Sequence, residues 1–137
     1  MKLVLDTNIF ISGIISPNSN AGRLIKEWEG NSFEMIMSQS LLEEIEQVLN
    51  YPKIIKIINW DKQTIKEFIE YLHFFTTVVD ISYVDYHFEL DPNDNHIIKT
   101  YIAGKCDYLI TGDKALLTLK DEFNVIALSK FIEKCYL

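Results

Sequence analysis

Residues 2–8 read KLVLDTN, in which a short apolar run, Lys2 to Leu5, ends at Asp6. A run of this length and composition is typical of a buried strand. Four more runs of strand length follow, at residues 33–37, 76–81, 107–111 and 124–128. The sequence therefore predicts five strands.

Helical patterns alternate with these runs. Apolar residues recur at helical spacing in residues 21–29, 41–49 and 61–75, and residues 52–59, 92–103 and 129–136 complete the set. The hairpin dipeptides that join antiparallel strands, such as Asn-Gly, are absent. This alternation indicates βαβ units, and we expect an α/β fold whose parallel sheet is covered by helices on both faces.

The composition fits one globular domain over residues 1–137. Of the 137 residues, 48% are hydrophobic and only 5 are Gly and 3 Pro, so no segment resembles a linker or a disordered tail. The longest uncharged run, residues 7–22, is too short and too polar to span a membrane. Asp6 and Asn8 interrupt any secretory signal. We expect a cytoplasmic protein without membrane association, in which Cys106 and Cys135 are reduced thiols.

The charge balance disfavours a passive nucleic-acid binder. The chain has 13 Lys and Arg residues against 20 Asp and Glu, a formal net charge of -7, and contains a single Arg. Binding to phosphates without sequence preference depends on clustered Lys and Arg. Any role with nucleic acid would therefore need positive charge from another source, such as divalent cations held by carboxylates.

Acids follow two of the predicted strands directly. Asp6 ends the first run, and Asp113 ends YLITGD at residues 108–113. Ligands of open parallel sheets bind outside the carboxyl ends of the strands. Both acids are therefore candidate ligand residues, although each would also serve as a helix cap.

Two further acids occur in DPNDN, residues 91–95, which opens a predicted helix. Asp91 is a suitable N-cap and Pro92 a suitable first helical residue. Counting back by helical spacing from Ile98 and Tyr101 places Asp94 near the middle of the buried stripe, where an unpaired carboxylate is unfavourable. We expect a compensating partner at Asp94.

Three acids lie close together in the helix predicted at residues 41–49. Glu43 points away from the apolar stripe, and its spacing from Ser40 matches a capping box. Glu44 and Glu46 flank the two edges of the stripe. Glu44 is favoured as the functional acid, with Glu46 as the alternative.

Together, Asp6, Glu44, Asp94 and Asp113 form a candidate metal and catalytic centre, with Asp91 as a further ligand. Oxygen ligands suit Mg²⁺ or Mn²⁺, and the three His residues share no metal-ligand spacing, with the nearest, His96, expected to be exposed. Such a centre supports phosphodiester hydrolysis by an activated water. Short polar side chains near the same edge could position water or substrate: Thr7, Asn8, Ser12 and Thr111.

In order along the chain, LDTN at residues 5–8, LLEEI at 41–45, DPNDN at 91–95 and DYLITGD at 107–113 resemble the motifs of PIN-domain ribonucleases. The resemblance covers essentially the whole chain and is strongest to the toxin component of bacterial and archaeal toxin–antitoxin pairs. It places the family's acids on Asp6, Glu44, Asp91, Asp94 and Asp113. The chain departs from many members at Ala115 and Leu116, where they carry a further Asp.

The resemblance implies a three-layer α/β/α sandwich around five parallel strands in the order 3-2-1-4-5. It also implies Mg²⁺- or Mn²⁺-dependent cleavage of single-stranded RNA to 5′-phosphate and 3′-hydroxyl ends, a homodimer, and inhibition by a small antitoxin protein. Candidate RNA contacts are the cations Arg23, Lys53, Lys56 and Lys114 and the aromatic residues Tyr51, Trp60 and Phe88. Cations of this kind are more often ordinary surface residues, and such aromatic residues are more often part of the core or an interface.

Two other functions are compatible with parts of the pattern. A phosphate-receiving signalling domain also has an acidic Mg²⁺ site, but it needs adjacent acids after the first strand, where this chain has Thr7 and Asn8. A PIN-like domain without activity would act only as a binding module. The presence of all four core acids favours the enzyme over both.

Overall fold

The computed structural model describes residues 1–136, so Leu137, the last residue of the predicted domain, lies outside the described residues. In the described part of the chain, five strands form one sheet: β1 (Lys2–Leu5), β2 (Glu34–Met37), β3 (Thr77–Val78), β4 (Tyr108–Ile110) and β5 (Val125–Ile126). Every pair of neighbouring strands is parallel, and their order is β3-β2-β1-β4-β5. The predicted α/β class and strand order are confirmed.

Within residues 1–136, eight α-helices connect and follow the strands: α1 (Thr7–Ile15), α2 (Asn20–Glu29), α3 (Gln39–Leu49), α4 (Pro52–Ile58), α5 (Lys62–Phe75), α6 (Asn95–Ala103), α7 (Lys114–Leu117) and α8 (Leu128–Tyr136). A 3₁₀ turn, Pro92–Asp94, precedes α6. None of the helices described within residues 1–136 has the length and apolar character needed to cross a membrane.

The connections distribute the helices over both faces of the sheet. The chain moves outward from β1 to β2 and β3, then returns across the sheet through α6 to β4. Because parallel crossovers are right-handed, the helices of these two paths lie on opposite faces. Accordingly α1, α2, α3 and α5 pack on one another, whereas α6 packs on β1, β2 and β4.

The central strands are buried on both sides. In β1, Leu3, Val4 and Leu5 are at most 1% exposed, which explains why this run lacks the alternating polar residues of a half-exposed strand. On the α6 side, Ile97 and Ile98 are also at most 1% exposed, and burial of each contributes about 1.5–3 kcal/mol. Two well-packed faces therefore hold the carboxyl edge of the sheet in a fixed position.

The first turn of α3 differs from the capping box predicted at Ser40 and Glu43. The helix begins at Gln39, and its N-cap is Ser38, whose hydroxyl accepts a hydrogen bond from the Leu41 backbone N–H at 3.3 Å. Strand β2 ends at Met37, so Ser38 is the first residue free to leave the sheet geometry. Glu43 is exposed and instead accepts a 3.3 Å hydrogen bond from Gln39 Nε2.

Candidate active site

Asp6 and Asp113 lie at the carboxyl ends of the two central strands β1 and β4. The Asp6 backbone N–H donates to the Ile110 carbonyl at 2.9 Å and extends the strand pairing by one residue. The fully buried Thr111 hydroxyl donates to Asp6 Oδ2 at 2.6 Å and accepts from the Asp113 backbone N–H at 3.0 Å. Thr111 therefore fixes both the Asp6 carboxylate and the backbone that carries Asp113.

The Asp6 carboxylate is held where its charge is unfavourable. Its side chain is 8% exposed, and burial raises its pKa. Hydrogen bonds from Thr111 and from the Thr7 backbone N–H act in the opposite direction, while the nearby charges of Glu44 and Asp113 raise the pKa further. Such an arrangement favours binding of a cation.

Asp91, Asp94 and Asp113 form a cluster beside Asp6. Each offers a carboxylate oxygen, and these oxygens lie within 4.8 Å of one another. Asp91 also caps the 3₁₀ turn by accepting from the Asn93 N–H at 3.1 Å, and Asp113 caps α7 by accepting from the Ala115 N–H at 2.9 Å. Asp94 precedes α6 but makes no capping hydrogen bond, so capping does not account for this acid.

The pKa of Asp94 is raised from its usual 3.8 to about 7. The largest cause is burial, followed by a hydrogen bond with Asp113 and by the charges of Asp6, Asp91 and Asp113. An acid with these surroundings is readily ionised only when a positive charge is close.

Glu44 approaches the centre from α3. The structure brings its carboxylate, and not that of Glu46, close enough to Asp6 to influence the Asp6 pKa. His96 Nε2 lies 2.6 Å from Glu44 Oε2, and this hydrogen bond is the main cause of a lowered Glu44 pKa. The expectation that His96 is exposed is wrong: its side chain is 19% exposed because it packs against Glu44 at the start of α6.

A buried hydroxyl pair holds α3 and α6 together behind this contact. The hydroxyls of Ser38 and Thr100 are hydrogen-bonded at 2.7 Å, and Thr100 also donates to the His96 carbonyl at 2.6 Å. Both side chains are fully buried. Ser38, Thr100 and His96 were not predicted as site residues, and the sequence gives little signal for them, because their contacts join segments far apart in the chain.

The remaining predicted polar residues are Asn8, Ser12 and Thr7, all near the carboxylates. Asn8 and Ser12 line a cleft of about 320 Å³ together with Asp6, Gly112 and Asp113. Thr7 is directed inward and is 2% exposed. Asn8 and Ser12 thus lie beside Asp6 and Asp113, whereas the Thr7 side chain is close enough to Glu44 to lower the Glu44 pKa.

Buried polar atoms without partners concentrate at this site. Among the described residues there are three, namely Thr7 Oγ1, Asp94 Oδ2 and His96 Nδ1. Buried polar atoms are nearly always hydrogen-bonded in native proteins, and exceptions indicate a functional role or an additional bound species. Carboxylate donors with an unpartnered buried oxygen fit a hard divalent cation.

The family profile described as PIN domain matches residues 2–115. The chain belongs to the PIN domain family. The matched region contains all five acids described above. PIN domains are generally nucleases that use divalent metals, and this chain has a cluster of carboxylates, Asp91, Asp94 and Asp113, that could hold a metal ion.

One relative of this PIN domain is the uncharacterized protein MJ1680 of Methanocaldococcus jannaschii. It is 32% identical over 124 residues, which cover 89% of this chain and 77% of the relative. No solved structure is a significant match.

The candidate substrate contacts have different surroundings. Lys53, Lys56 and Lys114 are exposed, whereas Phe88 is 3% exposed and belongs to the core. Trp60 is half-buried and packs on Phe68, with ring centroids 5.1 Å apart. Tyr51 is the most accessible of the three aromatic candidates, at 47% exposure.

Proposed function

We propose that this PIN domain is a divalent-metal-dependent endoribonuclease that hydrolyses phosphodiester bonds of single-stranded RNA. The observation that carries the proposal is the unpartnered, buried Asp94 Oδ2 within a cluster of carboxylates. A structural cap would have an N–H partner and no reason to accept repulsion from three other acids. A role of Asp94 as a metal ligand explains both the unpartnered oxygen and its position among the other acids.

In the proposed site, Asp91, Asp94 and Asp113 would hold the metal through their converging carboxylate oxygens, with Asp6 and Glu44 as further ligands beside them. When bound, Mg²⁺ or Mn²⁺ supplies Lewis-acid activation of water and of the scissile phosphate. Thr111 holds the Asp6 carboxylate in place through its 2.6 Å hydrogen bond. This contact orients Asp6 in advance, which lowers the cost of assembling the site.

Polar side chains beside the carboxylates would position the substrate. Asn8 and Ser12 line the cleft next to Asp6 and Asp113, where their amide and hydroxyl groups can donate to phosphate oxygens. The buried Thr7 hydroxyl has an unused hydrogen-bonding position and could orient water. Catalysis in this site is therefore assigned to positioning and electrostatics, without a covalent protein intermediate.

We also propose the biological setting implied by the family resemblance, a cytoplasmic toxin inhibited by a small antitoxin protein. A homodimer is part of the same proposal. Exposed aromatic residues near the end of α5, Tyr71, Phe74 and Phe75, support an interaction surface on the molecule.

The test is cleavage of labelled single-stranded RNA, double-stranded RNA and single-stranded DNA of equal sequence, with Mg²⁺, Mn²⁺ or EDTA. We expect metal-dependent cleavage of single-stranded RNA to 5′-phosphate and 3′-hydroxyl ends. Preference for DNA, or cyclic-phosphate ends, would contradict the proposed substrate or chemistry. Metal binding without cleavage of any substrate would instead favour an inactive binding module.

A further inference from the structure

A second cleft opens on the α3 side of the carboxylate centre. It has a volume of about 520 Å³, within the usual range for small-molecule sites. One wall is the polar face of α3, and the other is the 3₁₀ turn with the start of α6. Its lining includes Glu43, Glu44, Gln47, Tyr51, Asn93 and His96.

The chemistry of this cleft suits an uncharged group that donates hydrogen bonds. Two carboxylates, Glu43 and Glu44, line it, and of the described residues in its lining none is Lys or Arg. A phosphate would be repelled there. The Gln47 and Asn93 amides can both donate and accept, and the half-exposed Tyr51 ring offers a stacking surface.

The position of the cleft links it to the proposed reaction. Glu44 lines the cleft and is also close enough to Asp6 to influence the Asp6 pKa. Glu44, which is hydrogen-bonded to His96, is therefore adjacent both to the cleft and to the carboxylate centre. A nucleotide whose phosphate lies at the carboxylates could place a neighbouring base in the cleft.

We propose that this cleft is a nucleobase pocket that selects guanine next to the cleaved bond, with Tyr51 stacking on the base and Glu43 accepting hydrogen bonds from its edge. The inference rests on the proposed ribonuclease function. It adds the residues that determine base specificity.

The preference for guanine follows from the donors on each base. Guanine presents two adjacent donors, N1–H and the exocyclic amino group, which match the two oxygens of a carboxylate. Adenine and cytosine present one amino group beside a ring acceptor, and uracil presents one N–H between two carbonyls. Glu43 is exposed, and its one side-chain hydrogen bond among residues 1–136 comes from Gln39 at 3.3 Å, so its carboxylate is available to a base. Single-stranded RNA is commonly read by such stacking and edge contacts.

Nucleoside binding tests the pocket without phosphate, metal or cleavage. Saturation-transfer NMR would compare guanosine, adenosine, cytidine and uridine as probes. We expect guanosine to bind about tenfold more tightly than uridine, and Tyr51→Ala to lose about tenfold in guanosine affinity. Tyr83→Ala is the control, because it removes a tyrosine ring that is 69% exposed and lies in the loop after β3, outside the cleft. Equal binding of all four nucleosides, or equal losses in both variants, would overturn the inference.

Cleavage then tests the position of the pocket. The substrates are oligouridines with a single guanosine, adenosine or cytidine, and wild type should cut next to the guanosine. Glu43→Gln should move the preference from guanosine toward adenosine and cytidine by about tenfold, because an amide pairs with the amino donor and the ring acceptor that these two bases share. Cleavage without base preference, or an unchanged preference in Glu43→Gln, would overturn the inference while leaving the ribonuclease intact. If wild type cleaves none of the RNAs, the ribonuclease proposal fails. The nucleobase pocket is then accepted or rejected from the guanosine-binding result alone.

Discussion

Replacing Asp94 with Asn should stabilise the metal-free protein at neutral pH. The pKa of Asp94 is about 7, chiefly because the side chain is buried and then because of its contacts with neighbouring carboxylates. The ionised acid is therefore less favourable in the folded protein than in the unfolded chain. Asn has a similar shape, carries no charge, and can donate to Asp113 as the protonated acid does.

The size of the effect follows from the two pKa values. A rise from 3.8 to about 7 corresponds to at most about 4 kcal/mol of unfolding free energy. Solvent reaches part of this half-buried side chain and screens its charge, so we expect a gain of about 1–2 kcal/mol. Between about pH 4 and pH 7 the folded protein retains a proton that the unfolded chain has released, so this acid makes wild-type stability fall as the pH rises.

Urea unfolding in EDTA at about pH 4 and about pH 8 measures this difference. The gain from Asp94→Asn should be small at the acidic pH and complete at the alkaline pH. Asp121→Asn is the matched control, because Asp121 is an exposed acid in the loop before β5. A loss of stability at both pH values, or a gain independent of pH, would refute the account of Asp94 as a repelled carboxylate.

Three further predictions concern the same centre. Saturating Mn²⁺ at about 100 times its dissociation constant should raise the unfolding free energy of wild type by about 2.7 kcal/mol, reversibly with EDTA, and an unchanged melting temperature would argue against a metal site. Thr111→Val should lower the unfolding free energy measured in urea by about 1.5–3 kcal/mol, because Asp6 loses a charged hydrogen bond. Thr111→Ser keeps the hydroxyl and should retain most of the stability. Equal losses in the two variants would show that packing of the Thr111 methyl group, and not the hydrogen bond, is responsible. In single-turnover assays, Glu44→Gln should slow RNA cleavage about tenfold or more, whereas Glu46→Gln should leave the rate unchanged. The reverse result would show that Glu46, and not Glu44, is the acid of α3 that acts in the site.

The sequence predicts a strand most accurately where both faces of that strand are buried. Strand β1 was predicted at its observed bounds because both of its faces are covered and Asp6 ends it sharply. Edge strands β3 and β5 are only two residues long, shorter than their apolar runs. Apolar residues of these runs continue beyond the strand bounds: the Val79 N–H donates to the Met37 carbonyl at 2.8 Å just after β3, and Leu128 already belongs to α8.

Helix α1 was not predicted, although it carries Asn8 and Ser12. Residues 7–15 are uncharged and apolar around most of the helix, so they show no clear polar face from which a helical period could be recognised. A helix of this kind is defined by tertiary burial on several sides, which local patterning does not record.

Individual acids could be predicted, but their partners could not. Asp6, Asp94 and Asp113 stand out because each follows a strand or faces a buried stripe. The Glu44–His96 contact and the Ser38–Thr100 hydroxyl pair join α3 to α6 across a long stretch of chain. Neither contact has a fixed sequence spacing, so only the fold reveals which side chains support the carboxylates.

The central claim, that the carboxylate centre cleaves RNA, is tested most directly by single-turnover cleavage of labelled single-stranded RNA by wild type, Asp94→Asn and Asp121→Asn, purified in parallel. We predict that wild type and Asp121→Asn cleave with Mn²⁺ and not with EDTA, and that Asp94→Asn is slower by about a hundredfold or more. Cleavage by Asp94→Asn at the wild-type rate, or cleavage that persists in EDTA, would contradict the claim.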